Sequence, residues 1–203
     1  MKFFLSIFLF FSFSVNLFSQ SSFKKLSPPE KCWAICHPFK AKKAAKVTRE
    51  VQVVVDSVKR SGIIGSDNNG GNLDAFKHAY WMASVAMVIG RKQALKLGKA
   101  HEKGNYRQFK KQELEDAAMP DSISTVMDLR NNEFGVSAVD KCGKLSQINI
   151  QKKIMDGLAT GKLTVIKKDE FGNFLTCDGA VISLKEWKGK WGNPKCLIPL
   201  VYH

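Results

Sequence analysis

A chain of 203 residues, 44% apolar and 25% charged, has room for one domain of ordinary size, and this composition excludes intrinsic disorder. Its formal net charge of +14 favours anionic partners, such as a lipid surface or another envelope component, and also serves plain solubility. The lysines are scattered, with no arginine-rich or aromatic-interleaved strip, which argues against nucleic acid as a partner.

Met1-Lys2 precedes a 16-residue apolar run, FFLSIFLFFSFSVNLF, and no charge follows before Lys24. A basic start and a serine-interrupted run shorter than the ~20 residues of a membrane span read as a secretory signal peptide over residues 1–20. Cleavage after Ser19 or Gln20 removes Lys2, leaving +13 and no stable membrane span. The expected location is therefore secreted or periplasmic, where disulfides can form. Of Cys32, Cys36, Cys142, Cys177 and Cys196, the last two bracket a turn-rich segment and are the preferred pair. Such a loop of ~20 residues contributes about 3 kcal/mol in the chain-entropy account. Cys32 and Cys36 read as structural thiols, because Cys32-x-x-x-Cys36-His37 lacks a second ligand pair at zinc-site spacing.

Residues 21–29 read as a linker, after which Pro28-Pro29-Glu30 opens a short helical turn with Trp33 and Ile35, ended by His37-Pro38. Apolar residues from Ala44 to Val58 recur at helical intervals, predicting a helix over 39–60 that stops at Gly62. Residues 65–72 form a loop. Its Asp67-x-Asn69 opening resembles a calcium loop but lacks the later glycine and glutamate, and Asn72 is the expected cap of the next helix. Residues 73–89 carry two apolar stripes and so predict a helix buried nearly all round, ended by Gly90. A second helix is expected over 91–103, and 104–119 reads as a long connection, lid or loop. Asp121 or Ser122 caps a helix bearing Ile123, Met127, Arg130 and Phe134, and Ser146 starts another that stops at Gly161. Residues 163–166 and 174–176 flank a turn and predict a hairpin, with Trp187 and Trp191 covering it or docking it on the helices. The expected fold is mainly α. A helical bundle over residues 30–161 is followed by a small β-hairpin tail over 162–203, stapled if Cys177 and Cys196 pair.

Asp74 and His78, at i and i+4, share one helical face. A carboxylate beside an imidazole fixes its tautomer and raises its basicity, which suits a general base or a metal ligand. His101-Glu102 adds a second imidazole and carboxylate, and Asp128 with Asn131 and Asn132 adds a charge and two amides on a third helix. These seven are the candidate catalytic residues; His78, His101 and Asp128 are the expected ligands of a divalent metal ion. If they converge, hydrated-metal chemistry on a phosphoester, lipid or acyl ester follows. Singly, each has a plain structural reading: Asp74 as a first-turn charge on the helix dipole, His78 as a hydrogen-bonded core histidine, the asparagines as buttresses.

The run Asp74-Ala75-Phe76-Lys77-His78-Ala79-Tyr80-Trp81, then His101-Glu102, then Met127-Asp128-Leu129-x-Asn131-Asn132-x-x-Gly135, resembles an uncharacterised bacterial domain family. That family occurs in small exported proteins and at the ends of polymorphic-toxin-like chains. The resemblance covers residues 70–135, implies a helical domain and supports the polar set as a unit; it supplies no substrate. Two readings stand. One is an exported hydrolase, metal-dependent or using histidine and carboxylate alone. The other is a non-catalytic envelope or binding domain whose polar network is structural. A secreted phospholipase A2 is disfavoured, because Ala79 rather than aspartate follows His78.

Overall fold

In the computed structural model, which describes residues 23–112, 119–140 and 146–200, prolines at the first positions start helix α1 (Pro28–Cys36). The last two residues assigned to the linker, Pro28 and Pro29, are thus helical, since a proline in the first turn gives up an N–H that has no partner there anyway. His37 ends α1 as expected, its Nδ1 3.0 Å from the Trp33 carbonyl oxygen, and Pro38 starts α2 (Pro38–Ser61). Val47, Val51, Val55 and Val58 line the buried side of α2, so helical spacing overrides the β preference of valine.

Helix α3 (Asn72–Ile89) is the centre of the bundle, with buried residues on every side from Leu73 to Ile89. It packs against α2, α4 (Arg91–Lys111), α5 (Ser122–Ser137) and α6 (Gln147–Ala159). Gly71, not Asn72, is its N-cap, and no side chain caps it. The loop backbone serves instead, the Asp74 N–H donating to the Asp67 carbonyl at 3.4 Å. Helix α4 runs eight residues past its expected end at Lys103. Tyr106 and Phe109, at helical spacing, pack on Trp191 with ring centroids 4.6 and 5.2 Å away, which carries the helix through the stretch expected to be a connection. Asp121 caps α5 with one carboxylate oxygen accepting from the Ile123 and Ser124 N–H groups, and Ser146 caps α6.

The C-terminal segment holds a two-stranded antiparallel sheet of β1 (Thr164–Ile166) and β2 (Leu197–Pro199), paired Thr164 with Pro199, Val165 with Ile198 and Ile166 with Leu197. The turn at 169–173 forms, but the segment beyond it meets its neighbours only through single bridges, Lys168 with Phe174 and Leu175 with Val181. The ladder partner of β1 therefore lies across a separation of 31 residues at its closest pair, Ile166 with Leu197, rather than across the expected turn, and the disulfide between Cys177 and Cys196 sits beside it. Trp187 covers Phe174, while Trp191 docks the segment on α4 and accepts the Ser122 N–H, so both expected roles of the tryptophans are filled. Cys32 and Cys36 are free and exposed. The expected signal peptide, Cys142 and part of the expected connection lie outside the described residues.

Candidate metal centre

Three ligating atoms, one each from Asp74, His78 and Asp128, lie within 4.8 Å of one another, and all three residues are buried. Asp74 and His78 come from successive turns of α3, and Asp128 enters from α5. The His78 Nε2 is 3.6 Å from Asp74 Oδ1 and 3.4 Å from Asp128 Oδ1. Both separations exceed ordinary hydrogen-bond length. They match the edge of a tetrahedral centre: with metal–ligand bonds near 2.1 Å, neighbouring ligand atoms stand about 3.4 Å apart.

Asp74 is held by partners outside the group. Asp74 Oδ2 accepts the Gly70 N–H at 2.9 Å, and Asp74 Oδ1 takes Lys77 Nζ at 2.9 Å. Gly70 has φ of +80°, a left-handed conformation that glycine adopts without strain, and its carbonyl accepts the Ile166 N–H from β1 at 2.8 Å. Lys168 closes the loop from outside, its Nζ 2.5 Å from Asp67 and 2.7 Å from the Asn69 carbonyl. The loop at 65–72 is thus a bracket that fixes Asp74 at the start of α3.

His101 lies beside this group rather than in it. Its ring centroid is 6.3 Å from that of His78, Trp81 meets it edge-on at 5.3 Å, and its Nδ1 is 3.0 Å from Glu30 Oε1 of α1. Of the expected ligands, His78 and Asp128 fall in this group, together with Asp74, and His101 stands beside it. Glu102, next in sequence, is buried outside the group and accepts from Asn105 Nδ2 at 3.0 Å. Asn131 is taken up by structure, its amide donating to the Thr164 carbonyl and accepting the Thr164 N–H, both at 2.9 Å, which pins β1 to α5. Asn132 is 2% exposed, one turn from Asp128, and neither of its amide atoms finds a hydrogen-bond partner among the described residues.

Glu30 was not legible as a site residue. Burial opposes its charge, yet the hydrogen bond and charge of His101, with hydrogen bonds from Ser27, outweigh that and hold its pKa down at about 2 from an ordinary 4.5. A carboxyl whose folded pKa is depressed stabilises the fold above its unfolded pKa and loses that contribution as pH falls through the folded one. Wild type should accordingly lose on the order of 3 kcal/mol between pH 4.5 and pH 2 through this one group. Urea melts across that window should show a shallower loss in Glu30→Gln; an unchanged slope would mean that the pair contributes nothing.

Helical packing around a buried Asp-His-Asp group defines a mainly helical protein with a small disulfide-stapled sheet. The chain belongs to the family described as a domain of unknown function, DUF6973, whose model matches residues 31–162, well over half of its length. The match spans all three members of the group and ends just before β1, so the stapled segment lies outside it. No curated protein and no solved structure matches the chain. No helix among the described residues is long and apolar enough to cross a membrane.

Proposed function

We propose that this protein is an exported hydrolase that holds a divalent metal ion between Asp74, His78 and Asp128 and acts on a phosphoester or lipid ester. The observation that carries the reading is the spacing of the three buried ligand atoms, which suits a shared cation better than direct hydrogen bonds. One imidazole and two carboxylates suit zinc, iron or manganese, and three protein ligands leave a position open for water. A divalent ion held by these three residues would lower the pKa of a bound water toward neutrality and so supply a nucleophile. His101, oriented by Glu30 and beside His78, is the group that would relay a proton, through a bridging water. The chemistry belongs to the helical unit, residues 30–161, while Ile166 and Lys168 of the segment that follows brace the bracket that holds Asp74. Export rests on the apolar N-terminal run, and the resemblance to small exported proteins agrees with it.

The competing reading is a non-catalytic binding domain in which the Asp-His-Asp group is a structural network; it is favoured by Lys77, whose ammonium 2.9 Å from Asp74 Oδ1 already supplies that carboxylate with a cation. Elemental analysis of protein purified without chelator separates the two. Stoichiometric zinc, iron or manganese is expected, lost in His78→Ala and Asp128→Asn while the circular dichroism of both variants stays helical. His101→Ala should keep the metal yet slow hydrolysis of nitrophenyl phosphodiesters or esters by roughly 10²–10⁴-fold. Folded protein that takes up none of these metals would reject the metal centre and favour the binding domain.

A further inference from the structure

Helix α1 divides its residues between two faces. Glu30, Trp33 and Ala34 turn toward the bundle, whereas Cys32, Ile35 and Cys36 are exposed, Ile35 at 68%. Just past the break at His37-Pro38, Phe39 is 85% exposed at the start of α2. Two large apolar side chains therefore stand in solvent on either side of the α1–α2 junction.

The sequence flanking them carries one sign of charge on exposed positions. Lys24, Lys25, Lys42, Lys43, Lys46 and Arg49 are all exposed. Between residues 23 and 49 the sole acidic residue is Glu30, and it faces inward to His101. Glu50 follows directly, 3.9 Å from Lys46. We infer that the α1–α2 corner docks the protein on an anionic lipid surface, with Ile35 and Phe39 entering below the headgroups and the flanking cations meeting the phosphates. Lysine suits that place, because its alkyl stem lies along apolar surface while the ammonium stays at the headgroup level. A folded protein partner is disfavoured, since two apolar side chains at a corner offer far less area than a stable protein interface needs. The inference goes beyond the hydrolase reading and does not rest on it, because no residue of the metal group takes part.

The test uses the protein recovered from a host that exports it, with its N-terminus read by mass spectrometry so that a retained apolar leader cannot supply the binding. Flotation with vesicles of phosphatidylcholine alone, and of phosphatidylcholine mixed with phosphatidylglycerol, reads the docking. Binding is expected only to the mixed vesicles. Raising salt from about 0.1 M to about 1 M shortens the screening length from about 10 Å to about 3 Å and should release the protein. Ile35→Ser/Phe39→Ser and Lys42→Glu/Lys43→Glu should each weaken binding roughly tenfold or more, with unchanged thermal melts. Equal binding to both vesicle types, no binding, or binding untouched by either pair of substitutions would overturn the inference. So would a concentration-dependent dimer that the Ile35/Phe39 variant abolishes without any vesicle binding, which would assign the corner to a second copy of the chain.

Discussion

Asp121→Ala is expected to destabilise the protein by about 4 kcal/mol, measured as a shift in urea unfolding free energy at neutral pH. Two losses combine at this residue. One carboxylate oxygen accepts the N–H groups of Ile123 and Ser124, each at 2.8 Å, and caps α5, the helix that carries Asp128. Removing such a cap costs on the order of 1 kcal/mol. The other oxygen lies 2.6 Å from Lys195 Nζ, and both side chains are almost wholly buried. Truncating one member of a buried ion pair costs more than the pair is worth, because the remaining charge is stranded away from water.

The stranded charge is specific here. Lys195 Nζ sits 3.8 Å from the centroid of Phe174 and 4.5 Å from that of Trp187, so the rings wall it in and offset part of its cost through their faces. Burial presses the Lys195 ammonium toward neutrality, and Asp121 opposes that pressure. Adding Lys195→Met to Asp121→Ala should recover part of the loss, since the charge then disappears while the stem remains, and the double-mutant cycle should give a clear coupling between the two positions. An Asp121→Ala variant within about 1 kcal/mol of wild type would mean that the stapled segment is not held on α5 by this pair.

Much of this arrangement is legible from residues alone, where the signal is local. The all-round hydrophobicity of 73–89 marks the central helix, and i, i+4 spacing places Asp74 against His78. Asp121 and Ser146 announce their helices because a short acceptor side chain before an apolar run does one thing well. Pairing of Cys177 with Cys196 follows from the turn-rich loop between them. Asn131 and Asn132 show the limit of such reading. They are adjacent in sequence, yet a helix turns them about 100° apart. One therefore clamps Thr164 of β1 and the other is buried beside Gly98, whose missing side chain leaves room for its amide. Glu30 shows it further, for its partner His101 is 71 residues away and nothing local separates a site carboxylate from a first-turn glutamate. The end of α4 and the partner of β1 were misplaced for the same cause. Trp191 and Leu197 are what complete those elements, and both lie far along the chain.

Gly135→Ala is expected to cost about 3 kcal/mol or more, and to weaken metal uptake at the proposed centre along with stability. Gly135 lies on the buried face of α5, where a Cβ would fall on the Ala79 carbonyl oxygen of α3, with the Ala79 carbonyl carbon and Cα only 2.8 and 2.9 Å away. These are backbone atoms of a central helix, so no rotamer change relieves the contact, and α3 and α5 must move apart. Ala79 adjoins His78 in sequence, and Asp128 lies two turns from Gly135 on the same face of α5. The separation forced at Gly135 is thus passed to the 3.4 Å spacing between His78 Nε2 and Asp128 Oδ1. Gly192→Ala is the matched control, since nothing lies within 4 Å of a Cβ there; it should stay within about 0.5 kcal/mol of wild type. Chemical denaturation and metal stoichiometry of the two variants read both effects. If Gly135→Ala matches the control in stability, the two helices can slide past the added methyl and the close approach is not what sets the centre. If it loses stability but keeps its full complement of metal, the ligands tolerate the displacement, and the centre is held by the bracket at Gly70 and the pairing of Asp74 with His78 rather than by the packing of α5.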